Sequence, residues 1–144
     1  MKDNCHIHKV CNAVAAGDTA HVNLSLSSGI SPNAVCENSL QSLLTIAVEN
    51  DQKDMIQLLL MIGADINFKS YGGWTPLHAA VDISIDGTIQ TGGKPGDEPT
   101  EIIKYLLDNG ADRNILNRNG QTPLDIAKAY KSKKIIDFFD CTIV

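Results

Sequence analysis

The sequence predicts an all-α solenoid built from stacked helix-turn-helix repeats. Two short motifs recur along the 144 residues, and their copies lie close to a fixed period apart. The first motif, Thr75-Pro76-Leu77-His78-Ala79-Ala80, returns at 122–127 and more weakly at 42–47. The second motif, Gly63-Ala64-Asp65-Ile66-Asn67, returns at 110–114. Self-similarity at a period of about 20–50 residues is typical of solenoids, in which each unit buries its apolar face against a neighbour.

The spacing of the motifs fixes the number of repeats and locates an insertion. Copies of the first motif start at 42, 75 and 122, so one interval is 33 residues and the next is 47. The extra 14 residues fall within 82–100. A weaker copy of the second motif lies upstream, and an apolar helix pattern lies downstream. We therefore predict one domain over 1–144, with repeats at about 5–34, 35–68, 69–115 and 116–141.

Each repeat contains signals for two helices. Thr75 can cap a first helix with its hydroxyl, and Pro76 suits the first helical position because its missing N–H has no partner there. Apolar residues at i, i+3 and i+4 predict second helices over 54–62 and 101–109. Gly63 follows the first of these, where glycine adopts the left-handed cap without steric cost.

These motifs resemble the ankyrin repeat family over nearly the whole chain. The stretch from Gly73 to Ala80 and the Gly-Ala-Asp-x-Asn turns carry the resemblance. It implies an all-α ankyrin-repeat solenoid of four helix-turn-helix repeats, with β-hairpin-like finger loops and a concave palm of first helices. His78 is then a structural residue that ties neighbouring turns together. Leu40 departs from the pattern, because the family has glycine there, as at Gly73 and Gly120.

The insertion in the third repeat predicts a small hairpin or ordered flap beside the palm. Ile83 and Ile85 precede Asp86-Gly87, and Ile89 follows. An Asp-Gly pair between alternating apolar residues is a hairpin-turn signal. Residues 92–99 are rich in glycine and proline and are predicted to form an open loop. The alternative is a floppy surface excursion.

The charge of the chain is unevenly distributed. The net charge is −5, but residues 1–112 carry six basic and fourteen acidic side chains. Residues 113–134 carry six basic side chains and one acidic side chain. An acidic palm and loop could steer a basic partner toward the binding surface. The negative total argues against nucleic acid as a partner.

Cellular location is inferred from what the sequence does not contain. The N-terminal residues include no apolar run of signal-peptide length, and no run of 18 apolar residues predicts a transmembrane helix. Cys5, Cys11, Cys36 and Cys141 show neither CxxC pairing nor the density of a disulfide framework. We therefore expect a cytoplasmic protein with no membrane partner.

The resemblance also implies which residues would contact a partner protein. Trp74 is the only tryptophan and lies near Tyr71 in one finger, and aromatic residues are enriched in interface hot spots. The alternative is that Trp74 packs across the finger onto the next repeat. The exposed palm and finger positions are Asn38, Ser39, Gln41, Glu49, Asn50, Tyr71, Trp74, Asp82, Arg118, Asn119, Gln121 and Tyr130. The insertion adds Ile85, Asp86, Ile89, Asp97 and Glu98.

Other chemistry is less well supported by the sequence. Cys5, His8 and Cys11 would share a stripe of a helix and could bind zinc with a fourth ligand such as His21. The alternative is a capping helix with small buried cysteines. The terminal residues 141–144 loosely match a prenylation box and a peptide that a PDZ domain could capture. No nucleophile elbow or phosphate loop is present, so no enzyme activity, catalytic residue or cofactor is expected.

The predicted function is a protein–protein interaction module. The profile resembles small stand-alone bacterial ankyrin proteins, some of which act as immunity proteins. The module would be a monomer when free and would bind and occlude a basic partner, such as a toxin or effector enzyme. The alternatives are a scaffold or regulatory subunit that recruits a client protein, and a metal-binding sensor that uses the Cys5–Cys11 segment.

Overall fold

The computed structural model describes residues 2–141, which form four consecutive helix pairs. The first helices, α1, α3, α5 and α7, contact one another in sequence along the stack, and each packs on the second helix of its own pair. This arrangement confirms the predicted solenoid. The helices are α1 Lys2–Ala16, α2 Thr19–Ser27, α3 Leu43–Glu49, α4 Lys53–Ile62, α5 Pro76–Gln90, α6 Glu101–Asp108, α7 Pro123–Ala129 and α8 Lys133–Cys141.

Helix starts follow the predicted capping signals. The side chains of Ser42, Thr75 and Thr122 each accept a hydrogen bond from the backbone N–H three residues ahead. Pro76 and Pro123 occupy the first helical positions of α5 and α7. These contacts satisfy donors that would otherwise be left unpaired at a helix N-terminus.

The turns after the second helices also match the sequence. Gly63 takes a φ of 107°, the left-handed conformation that ends α4. Asn33 then accepts a hydrogen bond from the backbone N–H of Asp65 at 2.7 Å, and Asn67 accepts one from Asp112 at 2.8 Å. The recurring asparagine thus joins each turn to the next repeat, which explains its place in the motif.

One hydrophobic core runs through the stack. Ala47, Ala80 and Ala127 lie buried where the first helices approach one another. Larger aliphatic and aromatic side chains fill the space between the two helix layers. They include Leu43, Ile56, Leu59, Leu77, Ile103, Leu106, Ile135 and Phe139, all at most 1% exposed. Because this core crosses every repeat boundary, no repeat is stabilised by its own residues alone.

The predicted hairpin in the insertion is wrong, because α5 continues through it. This helix has 15 residues, whereas α3 and α7 have 7 each. Asp86-Gly87 therefore lies inside a helix, which extends roughly 12 Å further than its neighbours at about 1.5 Å per residue. Ile85 is only 2% exposed and belongs to the core, so it cannot contact a partner as predicted.

The rest of the insertion is a loop over 91–100 that is fastened to the last repeat. Glu98 is 5% exposed, and its carboxylate accepts hydrogen bonds from Ser132 Oγ at 3.0 Å and Gly96 N at 2.7 Å. Ser84 Oγ on α5 donates to the Pro99 carbonyl at 2.5 Å. Glu98 was predicted to contact a partner, but its carboxylate is occupied in anchoring this loop.

The structure also revises the expected cysteine chemistry. Cys11 on α1 and Cys36 form a disulfide with a Cα–Cα distance of 6.1 Å, which the sequence pattern did not predict. Cys11 is therefore not available as a zinc ligand beside Cys5 and His8. Within the described residues, no cluster of three or more metal-binding side chains is present. Residues 142–144, which are part of the predicted prenylation or PDZ signal, lie outside the residues that the structure describes.

Hydropathy places no described helix in a bilayer. Between residues 2 and 141, no helix combines the length and the apolar composition that spanning a membrane requires.

Candidate protein-binding surface

A groove lies between the first two fingers and the first helices of the second and third repeats. The first finger is the two-stranded hairpin β1 Val35–Cys36 and β2 Gln41–Ser42, and the second finger begins with the 3-10 turn Tyr71–Gly73. The groove has a volume of about 260 Å³. Its lining includes six of the predicted contact residues, Ser39, Gln41, Glu49, Tyr71, Trp74 and Asp82.

Two carboxylates face this groove and repel each other. Glu49 ends α3 and accepts a hydrogen bond from Gln41 Nε2 at 2.5 Å. Partial burial raises the pKa of Glu49, and the nearby charge of Asp82 raises it further, although the Gln41 hydrogen bond opposes both. Burial also raises the pKa of Asp82, with Asp86 adding to the effect and the Tyr130 hydrogen bond opposing it. The groove therefore holds negative charge at some energetic cost.

The acidic character continues along α5. Asp82, Asp86 and Ile89 are spaced at i, i+4 and i+7, so they follow one stripe of the helix. Tyr130 OH donates to Asp82 Oδ1 at 3.1 Å, and the pKa of Tyr130 is raised mainly by the charge of Asp82. Asp86 accepts a hydrogen bond from the side chain of Gln90. The predicted residues Asp86 and Ile89 thus lie on a helical ridge beside the groove instead of on a hairpin.

Aromatic side chains form the finger wall of the groove. Tyr71 is 64% exposed, and the Arg118 guanidinium carbon lies 5.3 Å from its ring centroid. Trp74 is half-buried, with its ring centroid 5.8 Å from that of His78. Trp74 thus lines the groove and packs on His78 within its own repeat, and not onto the next repeat as the alternative interpretation supposed.

His78 holds the third finger in place, as predicted. Its Nδ1 accepts the backbone N–H of Thr75 at 3.2 Å, and its Nε2 then donates to the Gln121 carbonyl at 2.9 Å. Burial lowers the pKa of His78, and the charge of Lys69 acts in the same direction. The neutral imidazole therefore bridges the second and third fingers.

The remaining predicted residues lie away from the groove. Asn50 caps α3 by donating to the Ile46 carbonyl at 2.8 Å, and Asn38 approaches His8 Nδ1 at 3.5 Å. The Gln121 side chain accepts a hydrogen bond from the Asn117 side chain, and the backbone N–H of Asn119 donates to the side-chain oxygen of Asn117. Asp97 is exposed and accepts the Lys94 N–H at 2.9 Å. These residues stabilise turns and do not meet at one site.

Sequence reasoning missed the floor of the groove. Thr45, Ser70 and Ala79 line it, and the two hydroxyl residues belong to a buried network with Ser42. Ser70 Oγ also accepts the Ser42 N–H at 3.0 Å, which joins the second finger to the start of α3. Small polar residues such as these carry no local signal for burial, so only the stacking of repeats identifies them.

Comparison with known proteins identifies the family. A family model described as ankyrin repeats in three copies matches residues 10–86, and a single ankyrin repeat model matches residues 72–118. The chain therefore belongs to the ankyrin repeat family.

The individual relatives are parts of larger proteins. Human 2-5A-dependent ribonuclease is 38% identical over 94 residues, covering 65% of this chain and 11% of the relative. Protein phosphatase 1 regulatory subunit 12A of mouse is 36% identical over 84 residues, covering 58% of this chain and 7% of the relative. The chain thus spans only a small part of these curated relatives. Matches include mammalian and viral proteins, which do not support a bacterial type.

A solved structure shows the same architecture. The crystal structure of the ankyrin repeat domain of Bcl-3, a member of the IkappaB protein family, superposes with a TM-score of 0.70 at 32% identity. The likeness covers 91% of this chain and 50% of that domain. Ankyrin repeats of this kind mediate protein–protein interaction, and the matched proteins are mostly not enzymes, although the ribonuclease shows that the repeats also occur within an enzyme.

Proposed function

We propose that this protein binds another protein through the groove and the α5 ridge and thereby occludes a basic surface of that partner. The observation that carries the proposal is the set of carboxylates Glu49, Asp82 and Asp86 beside the aromatic wall of Tyr71 and Trp74. Among residues 2–141, none of these three carboxylates forms a salt bridge. A lysine or arginine of the partner would neutralise Glu49 and Asp82 and could stack on Tyr71 or Trp74, while Asp86 adds negative potential along the ridge.

The energetics of the groove favour a cationic partner. Because Glu49 and Asp82 have raised pKa values, their ionisation is disfavoured in the free protein. A positive side chain would remove the mutual repulsion, and this gain would appear only in the complex. A phosphate backbone or an anionic membrane surface would meet repulsion instead, so we do not expect nucleic acid or a membrane as the partner.

The biological setting is part of the proposal. The name of the phosphatase relative, a regulatory subunit, supports control of a partner's activity. An immunity protein that occludes a toxin is a special form of the same mechanism, and no matched relative supports that form. We propose a free monomer located in the cytoplasm, with no enzyme activity of its own. A scaffold that recruits a client protein is the main alternative, because its groove would need the same chemistry.

Affinity purification followed by binding measurements tests the proposal. The wild-type chain would capture a partner from the source cells, and its affinity would then be compared with that of Glu49→Gln/Asp82→Asn. The side-chain oxygen of the new asparagine can still accept from Tyr130, so this variant removes charge with little change in shape. We expect binding to weaken at least about tenfold, since close charge pairs at interfaces contribute about 1.5 kcal/mol or more.

A variant on the second-helix layer, outside the groove, provides the matched control. Met61 is 78% exposed on α4, away from the groove, so Met61→Ser should leave affinity unchanged. If Met61→Ser weakened binding while the groove variant did not, the proposed surface would be wrong. Suppression of the partner's activity on adding the wild-type chain would favour occlusion, and unchanged activity would favour the scaffold.

A further inference from the structure

The first finger is covalently tied to a different repeat. The Cys11–Cys36 disulfide joins the middle of α1 to strand β1 across a separation of 25 residues. Cys11 is 7% exposed and Cys36 is 4% exposed, so the bond is buried between the two elements. The cross-link therefore fixes the N-terminal half of the finger against the first helix.

This finger has little internal support of its own. Its strands have two residues each, paired as Val35 with Ser42 and Cys36 with Gln41. Two-stranded hairpins this short are marginally stable in water. Leu40 takes a φ of 57°, in the left-handed region that non-glycine residues rarely adopt, whereas the corresponding residue of the second finger is Gly73.

The two halves of the finger are held by different contacts. On the C-terminal side, the Leu40 carbonyl accepts the Tyr71 N–H at 3.0 Å, and Ser42 donates its N–H to Ser70. On the N-terminal side, the disulfide is the covalent attachment to α1, and Asn38 approaches His8 at 3.5 Å. This half also pairs with β2, and the Ala34 carbonyl accepts the Leu43 N–H at 3.3 Å. Loss of the disulfide would thus leave the N-terminal half held mainly by this short strand pairing, which is marginally stable, while the C-terminal half stays attached to the second finger.

We propose that the Cys11–Cys36 disulfide is a redox-controlled staple that determines whether the first finger completes the protein-binding groove. Ser39 lines the groove from the half of the finger that the disulfide holds, and Gln41 lines it from the half that stays attached. The inference rests on the proposed function, since it assigns regulation to the same groove. The closed staple presents the N-terminal half of the finger, with Ser39, for binding, and the open staple allows that half to leave the groove.

The chemistry requires a small thiol as the reductant, such as glutathione. Its thiolate attacks one cysteine sulfur, which breaks the S–S bond, forms a mixed disulfide and releases the other cysteine as a thiolate. A second thiolate then attacks the small-molecule sulfur of the mixed disulfide, which forms the small-molecule disulfide and releases the protein cysteine as a thiolate, so the protein gains two electrons and two protons. Because both sulfurs are buried, α1 and the finger must first separate, which makes the reaction slow.

Hydrogen exchange with mass spectrometry tests this staple without any partner. Cys5→Ser/Cys141→Ser removes both exposed thiols and leaves only the buried pair. We expect this protein to be about 2 Da lighter before reduction than after it. Upon reduction, amides over residues 35–40 should exchange at least about tenfold faster, while protection in α3–α8 is retained. Adding the substitutions Cys11→Ala/Cys36→Ala should mimic the reduced form and abolish the response to reductant.

Three results would overturn the proposal. The first is that the mass does not change when protein oxidised with glutathione disulfide is treated with reductant. The second is that the finger amides exchange equally fast in both redox states. The third is that reduction accelerates amide exchange throughout α3–α8. The last would show that the disulfide supports the whole stack and does not act locally on the finger. Reduction of the Cys5→Ser/Cys141→Ser protein gives the answer even if the alanine variant does not fold. If the groove variant Glu49→Gln/Asp82→Asn bound the partner as tightly as wild type, the proposed function would be wrong, but this exchange pattern would not change.

Discussion

At the scale of single residues, the backbone of Leu40 carries a cost that the other fingers avoid. Its φ of 57° is left-handed, and its side chain is 46% exposed, so burial offsets little of the strain. The left-handed conformation costs a non-glycine residue about 1–2 kcal/mol. Leu40→Gly should therefore stabilise the protein by about 0.5–1 kcal/mol after the larger entropy of glycine in the unfolded chain is counted. Urea denaturation at neutral pH would measure it.

Two glycines at the equivalent position provide the controls. Gly120 has a φ of 74°, and a Cβ added there would lie in open space, so Gly120→Ala should cost only backbone strain, about 1 kcal/mol. Gly73 has the same φ, but its Cβ would lie 2.9 Å from the backbone nitrogen of Arg118, so Gly73→Ala should cost more. Destabilisation by Leu40→Gly would show that the leucine side chain, and not the backbone angle, decides stability there.

At the scale of elements, the sign of one substitution distinguishes the observed α5 from the predicted hairpin. Gly87 lies inside the helix, and a Cβ there would meet no atom within 4 Å. Alanine in a helix interior is more favourable than glycine by about 0.5–1 kcal/mol, so Gly87→Ala should raise stability by that amount. In a hairpin turn with a left-handed glycine, the same change would lower it. Thermal unfolding followed by circular dichroism gives the sign.

The sequence could predict the helix pairs but not the course of the insertion. Thr75, Pro76 and Gly63 act through local hydrogen bonds and φ angles, so the helix ends that they mark can be predicted without knowledge of the fold. The Asp86-Gly87 signal is also local, but it is overridden because a helix buries Ile85 in the core. The same limit applies to the Cys11–Cys36 pair, because only the packing of α1 against the first finger brings its members together.

The loop that follows α5 depends on one buried carboxylate. Burial acts to raise the pKa of Glu98, but hydrogen bonds from its own backbone, Ser132 and Gly96, together with the charge of Lys134, outweigh it and lower the pKa. The stabilisation is therefore present above the ordinary glutamate pKa and is lost as pH falls through the lower folded value. Glu98→Ala should cost about 2 kcal/mol at pH 7, as expected for a hydrogen-bonded charge.

The neighbouring acidic residue serves as the matched control for Glu98. Asp97 is exposed and only accepts the Lys94 N–H, so Asp97→Ala should change stability by less than about 0.5 kcal/mol. The difference between wild type and Glu98→Ala should shrink in urea melts as the pH is lowered below about 4. A pH-independent difference would mean that lost packing, and not the ionised carboxylate, explains the cost.

At the scale of the whole molecule, acidic and basic regions lie in different parts of the stack. Residues 1–112 are strongly acidic, whereas residues 113–134 are basic, and the groove is formed within the acidic part. Asp86 lies on the ridge of α5, which extends beyond the neighbouring first helices. A basic partner would therefore meet negative potential before it reaches Glu49 and Asp82, so long-range attraction should appear mainly in the association rate.

The association rate with the captured partner should fall at least about tenfold between 20 mM and 500 mM NaCl, because the screening length shrinks from roughly 20 Å to about 4 Å. Asp86→Asn should slow association with little effect on dissociation, because the residue acts on the approach and not at the groove floor. Lys133→Gln, at an exposed site of the basic region, should leave the rate unchanged or raise it slightly. Stopped-flow mixing measures both rate constants for each variant. An association rate that changes neither with salt nor with Asp86→Asn would indicate that the aromatic wall, with Tyr71 and Trp74, governs recognition. The acidic ridge would then have no steering role.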